Sequence, residues 1–145
     1  MRATFFLCLL WALGASCAVV AALAAEPAGL KPQPAAVADD AFSLIGRPNV
    51  CVIDARPSLF YRRGHIPGAV NLSRVRFAAD WGVSAAIMRA DGIDTWVVYC
   101  SDRHCDDSHE VAELLRAQGL GRVLVFTGGW EEWLGLGGTV ETGKL

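Results

Sequence analysis

The sequence predicts an α/β fold of three layers, a parallel sheet with helices on both faces. Three observations predict it. Short continuous apolar runs recur at 50–54, 96–99 and 122–126, the pattern of strands buried on both sides. Segments of helical character alternate with these runs. The connections between runs are long enough for the crossovers that parallel strands require.

The chain opens with a different kind of segment. Met1-Arg2 supplies one positive charge, and residues 5–22 are apolar or small throughout. Ala22-Leu23-Ala24 matches a small-x-small cleavage site, and Glu26-Pro27 follows. This is the pattern of a secretory signal over 1–24, with a periplasmic or secreted destination. Residues 4–25 are also long enough to act as an uncleaved membrane anchor, and Cys17 is a weak candidate for lipidation. The alanine run and the early polar shift favour cleavage. Residues 25–35 read as a proline-rich linker, with a short edge strand expected near 35–37. The domain then spans 36–140, and 141–145 form a tail.

Within the domain each element has its own signal. Residues 39–46 start on Asp, place Phe42 and Ile45 on one side and end at Gly46, which predicts a short helix. Val50–Asp54 is a buried strand, ended by Arg56-Pro57. Ser58–Arg63 has room for one or two helical turns. Residues 64–68 are a turn-rich loop, and 69–72 a second short strand. Residues 73–90 are helical in character but interrupted at Trp81-Gly82, so two short helices are expected. Residues 93–95 connect to the central strand at 96–99. Asp107 stands as an N-cap with Glu110 three residues on, a capping-box arrangement. Val111, Leu114, Leu115 and Gln118 keep the helical period, and Gly119 suits the position after the helix. Arg122–Phe126 is a further buried strand, and Gly128 begins a last short helix.

Composition narrows the function classes. The whole chain carries a net charge of −2, and losing Arg2 with the signal makes the remainder slightly more acidic. There is no basic patch, so nucleic acid is not an expected partner. Gly128-Gly129 follows a strand without the spacing of a phosphate-binding loop. No His or carboxylate set is spaced as a metal site.

The cysteines carry the chemical signal. Cys8 and Cys17 lie in the signal segment, which leaves Cys51, Cys100 and Cys105. An odd count in an exported chain raises the question of a reactive thiol. Cys51 sits inside an apolar strand and reads as core. Cys100 ends the central strand beside a helix start, where open α/β sheets collect ligands and chemistry. Its thiolate would be the reactive form. Loop N–H groups and the positive end of the helix near Asp107 favour that form, as do Arg103 and His104. Asp102, Asp106 and Asp107 oppose it. On these residues alone, an inert strand-end cysteine carries at least equal weight.

Three stretches, taken together, resemble the rhodanese (thiosulfate sulfurtransferase) family. Asp54-Ala55-Arg56 followed by Gly64-His65-Ile66-Pro67-Gly68-Ala69 is similar to the family's first signature. Val97-Val98-Tyr99-Cys100 resembles the strand that ends in its active cysteine, and Gly128-Gly129-Trp130 with Trp133 resembles its closing motif. The resemblance covers about residues 36–140. It implies a parallel, five-stranded sheet and sulfur transfer through a Cys100 persulfide. The Cys100 thiolate would attack the outer sulfur of a donor such as thiosulfate and release sulfite. A thiol or cyanide acceptor would then take the sulfur, with loop N–H groups stabilising the persulfide anion. No cofactor is implied. The partners are a small-molecule donor and a thiol acceptor, and a membrane enters only through an uncleaved N-terminal segment.

The residues themselves also assign supporting roles. Asp54 and Arg56 read as an ion pair that fixes the next loop. His65 reads as a structural hydrogen-bonding histidine, and Trp130 and Trp133, three apart on a helix, as core. The active-site loop comprises Ser101, Asp102, Arg103, His104 and Cys105. It departs from the family pattern: the interval from Cys100 to Ser108 is two residues longer, and Asp107 stands where the family has Arg. Arg103 is then the candidate for the donor anion. Asp106, six positions after Cys100, would repel phosphate and argues against the phosphatases of this fold. Cys105 could pair with Cys100, resolve its persulfide, or have no role. Two other classes stay open: a non-catalytic binding module, and a thiol–disulfide redox protein using Cys100 and Cys105.

Overall fold

The structure, a computed structural model, describes residues 38–143. The signal segment, its anchor and lipid alternatives, the linker and the edge strand expected near 35–37 lie outside the described residues. The elements run α1 (Ala38–Leu44), β1 (Val50–Asp54), α2 (Ser58–Arg63), β2 (Val70–Asn71), a 3-10 turn (Arg74–Arg76) and α3 (Phe77–Met88). They continue with β3 (Thr95–Tyr99), α4 (Asp107–Ala117), β4 (Arg122–Phe126) and α5 (Gly129–Gly135).

Among the described residues the sheet has four strands in the order β2-β1-β3-β4, and every pairing is parallel. The expected number was five. The period of two along each strand divides the core in two. Cys51, Ile53, Trp96, Val98, Val123 and Val125 face one side, against Phe77 and Met88 of α3 and Val111, Ala112 and Leu115 of α4. Val52, Val97, Tyr99, Leu124 and Phe126 face the other, against α1, Tyr61 of α2, and Trp130 and Trp133 of α5. The helices therefore cover both faces, as the continuous apolar runs require. Register aligns Asp54 with Tyr99 and Tyr99 with Phe126, so β1, β3 and β4 end level and their C-terminal ends share one rim.

Two local expectations are corrected. The helix after β2 is not broken at Trp81-Gly82; α3 runs unbroken from Phe77 to Met88. Gly82 faces open space, Phe77 stacks on Trp81 one turn away with ring centroids 5.3 Å apart, and the Arg89 guanidinium lies 5.4 Å from the Trp81 ring centroid, a contact that spans the glycine. The interruption falls earlier, at the 3-10 turn. Asp107 is not an N-cap: Asp106 holds that position, without a side-chain cap bond. Asp107 and Glu110 instead reach across to Arg74, at 3.3 and 3.1 Å, so an ion-pair cluster replaces the capping box.

Candidate active site

β3 delivers Cys100 to the rim of the sheet, where the residue is 1% exposed. Its backbone is held by the start of α5. The N–H of Trp130 donates to the carbonyl oxygen of Cys100 at 2.9 Å, and that of Glu131 to the carbonyl of Ser101 at 3.0 Å. These are first-turn donors with no partner inside their own helix, and the cysteine loop satisfies them. The approach is close because Gly129 has no side chain. Its φ is +61°, and a Cβ there would lie 2.6 Å from the Cys100 carbonyl oxygen. The second glycine of the pair read as part of a closing motif, Gly129, is thus the surface on which the cysteine backbone rests.

The loop beyond is ordered by Asp102. Its carbonyl accepts from the Cys105 N–H at 3.2 Å, and its carboxylate from the His104 N–H at 2.7 Å. This Asx-type turn commits two of the loop N–H groups expected to surround a persulfide. It also carries Cys105 back to Cys100, and the two are joined as a disulfide with Cα atoms 6.1 Å apart. Arg103 points away to α5, donating to Glu132 at 3.0 Å, and is largely exposed. His104 is exposed, and Ser101 faces the pocket described below. The sulfurs of Cys100 and Cys105 and a carboxylate oxygen of Asp107 lie within 4.8 Å of one another. With the sulfurs bonded to each other, neither is a thiolate available to a metal.

Beneath the loop lies a buried polar floor. Asp54 and Arg56, both almost fully buried, form the expected ion pair, with Nη2 to Oδ2 at 2.6 Å. Arg56 also donates to the carbonyl of Gly64 at 2.7 Å, which fixes the following loop as the sequence implied. Tyr99, the residue before Cys100, donates its hydroxyl to Asp54 at 2.7 Å and accepts from the Ile66 N–H at 3.1 Å. Burial, with the Asp54 carboxylate beside it, pushes the Tyr99 phenol well above its usual range and keeps it neutral. Burial works against the charge of Arg56, but its bonds to Asp54 outweigh this and hold it above the ordinary guanidinium value. His65 is structural: it stacks on Tyr61 at 3.7 Å, and its Nδ1 lies 2.9 Å from the Tyr61 carbonyl oxygen. Cys51 is core, and burial raises its thiol to about 11.

A pocket of 330 Å³ opens at Ser101, the residue after Cys100, with Arg56, Arg63, Trp130 and Glu131 also in its wall. A larger one, 650 Å³, lies between α2, β2 and α3 and includes no residue of the cysteine loop. Trp130 is therefore more than core. Its ring lies under the Arg56 guanidinium, 4.6 Å from centroid to Cζ, and forms a wall of the smaller pocket. Trp133 meets the core expectation, packing on Phe42. Arg63 was not singled out from sequence. Tyr61-Arg62-Arg63 reads as a solvated helix end, although Phe60 and Arg63 are three apart and so share a face.

The chain matches known proteins in the same region. The sequence model of the Rhodanese-like domain matches residues 37–136. A protein from Bacillus halodurans superposes with a TM-score of 0.60 and 24% identity, over 72% of this chain and 74% of its own. The Rhodanese-like domain of a protein from Anabaena sp. gives 0.55 and 27% over 72% of this chain and 76% of its own. A thiosulfate sulfurtransferase from Pseudomonas aeruginosa gives 0.56 and 23%, over 74% of this chain and only 20% of that one. The match to the family model spans more than half of the chain; this chain belongs to the Rhodanese-like domain family.

Proposed function

We propose that this protein is a sulfurtransferase that moves a sulfane sulfur from a donor such as thiosulfate to a thiol or cyanide acceptor, with Cys100 as the carrier. The observation that carries this is the setting of Cys100: at the end of the central strand, clasped by α5, and followed by Ser101, which lines a pocket together with Arg56 and Arg63. In its disulfide form Cys100 has no nucleophile, so two-electron reduction by a thiol comes first. The Cys100 thiolate then bonds to the outer sulfur of thiosulfate, and the old sulfur–sulfur bond breaks with its electron pair leaving on sulfite. An acceptor thiolate or cyanide attacks the outer sulfur of the persulfide and returns Cys100 as thiolate.

Arg56 already faces Asp54, so the attraction for a donor dianion falls to Arg63. Among the described residues no ion pair involves Arg63, whereas Arg103 is tied to Glu132. Glu131 shares the pocket and opposes the anion, which favours donors of concentrated charge. An exported location, inferred from residues 1–24, suits a chain whose loop holds a disulfide.

The test uses Cys105→Ser protein incubated with thiosulfate and weighed intact. A gain of about 32 mass units, absent in Cys100→Ser, is expected for one carried sulfur. The disulfide itself favours a second reading, thiol–disulfide exchange without sulfur transfer. That reading takes over if no sulfane donor adds mass while reduction and reoxidation of the pair proceed.

A further inference from the structure

The loop places a second sulfur within bonding reach of the Cys100 sulfur. Cys105 is bonded to Cys100, and the turn that brings it there is built from the chain's own hydrogen bonds through Asp102. The far side of the cysteine backbone is fixed by Trp130 and Glu131. Cys100 is 1% exposed, while Cys105 is partly open to solvent. An outside thiol therefore meets Cys105 first, and the sulfur nearest to Cys100 belongs to the protein itself. Among the described residues the one other cysteine, Cys51, does not compete, because it is buried on the face of β1 opposite α5.

We propose that Cys105 resolves the Cys100 persulfide, and that the chain completes its cycle by releasing hydrosulfide. This rests on the Cys100 persulfide proposed above. The Cys105 thiolate bonds to the Sγ of Cys100. The bond between that Sγ and the outer sulfur breaks, and the outer sulfur leaves with the electron pair as hydrosulfide, taking up the proton that Cys105 gave to solvent. The sulfane sulfur is reduced to sulfide, and the two thiols are oxidised to the Cys100–Cys105 disulfide. The bonded pair of the structure is the product of this step. An external dithiol restores the thiols. Its first thiolate attacks Cys105, the exposed sulfur, and expels Cys100 as thiolate; its second resolves the mixed disulfide and carries the oxidation away. Each cycle turns thiosulfate and a dithiol into sulfite, sulfide and a disulfide, a thiosulfate reductase activity. The dithiol partner is a small molecule or a protein with an exposed pair of thiols.

The test is a single turnover. The full chain is reduced, freed of reductant under anaerobic conditions and given one equivalent of thiosulfate. Sulfite, sulfide and intact mass are then measured. Wild type is expected to release one sulfite and one sulfide per chain and to end about two mass units lighter, from the two lost hydrogens. Cys105→Ser is expected to release sulfite, keep about 32 added mass units and yield at least about tenfold less sulfide. Wild-type protein that releases sulfite but keeps the added sulfur, on either cysteine, overturns the proposal. Equal sulfide from wild type and Cys105→Ser also overturns it. Absence of sulfite from both proteins overturns the sulfurtransferase reading itself, and this proposal with it.

Discussion

Replacing Gly129 with Ala tests whether the backbone of the cysteine loop is set by the start of α5. Two costs can be worked out. Gly129 has a φ of +61°, and an L-residue with a Cβ loses about 1–2 kcal/mol in that region. The new Cβ would lie 2.6 Å from the Cys100 carbonyl oxygen and 3.1 Å from the Asp102 nitrogen. Both neighbours are backbone, so the strand end must shift. The bond from the Trp130 N–H, now 2.9 Å, would then weaken, at a cost of about 0.5–1.5 kcal/mol. The sum is roughly 1.5–3.5 kcal/mol, which for a domain of this size is a Tm decrease of roughly 6–25 °C. Gly82→Ala is the matched control. Gly82 sits in α3 with nothing within 4 Å of its Cβ direction, so alanine there should stabilise by about 0.5–1 kcal/mol. Thermal unfolding of the two variants should give opposite signs. First-turnover sulfite release should slow in Gly129→Ala and stay unchanged in Gly82→Ala. A Gly129→Ala protein within about 0.5 kcal/mol of wild type, releasing sulfite at the wild-type rate, refutes the reasoning.

Other substitutions address the floor, the pocket and the core thiol. Asp54→Ala leaves the Arg56 guanidinium, 3% exposed, without its carboxylate, and should cost about 3–5 kcal/mol in urea unfolding; a loss under about 1 kcal/mol would mean that water reaches Arg56. Arg63→Ala should raise the KM for thiosulfate by about fivefold or more and flatten its salt dependence, while Arg103→Ala changes it less than about twofold. The reverse order would move the anion site into the loop. Burial raises the Cys51 thiol from 9.0 to about 11, so between those pH values the unfolded chain has released a proton that the folded chain keeps. Stability should therefore fall as pH climbs through this window, by up to about 1.4 kcal/mol per unit from Cys51. Tyr99, also raised, adds to the fall at the upper end. Urea midpoints for wild type and Cys51→Ala should converge as pH rises; parallel lines would exclude Cys51 as a source.

The strands were legible because burial on both faces leaves an unbroken apolar run, and β1 and β4 lie where those runs lie. The cysteine at the strand end, the Asp54–Arg56 pair and the structural role of His65 were legible too, since each is local in sequence or fixed by its neighbours. What stayed hidden depends on partners far along the chain. Asp107 and Glu110 fit a capping box until Arg74, from another segment, draws them away. Trp81-Gly82 looks like a break until Phe77 and Arg89 pack on Trp81 from either side of it. Arg63 looks like a solvated charge until the fold sets it opposite Ser101 and Trp130. Gly129 belongs to a recognisable motif, but the carbonyl that requires it is that of Cys100, just past β3 and far away in sequence.

The clasp on Cys100 also sets an order of events during synthesis. Its donors, Trp130 and Glu131, lie near the end of the chain, and the later Glu141 pairs its backbone with that of His65 and receives the Gly68 N–H at 2.8 Å. A growing chain stopped before residue 128 has all four strands of the described sheet, yet nothing to hold the carbonyls of Cys100 and Ser101. The sheet can assemble with its thiol still unplaced. Cys100 thus acquires its working geometry only once α5 has been made, and a protein cut before α5 would carry a cysteine without the frame that directs its chemistry.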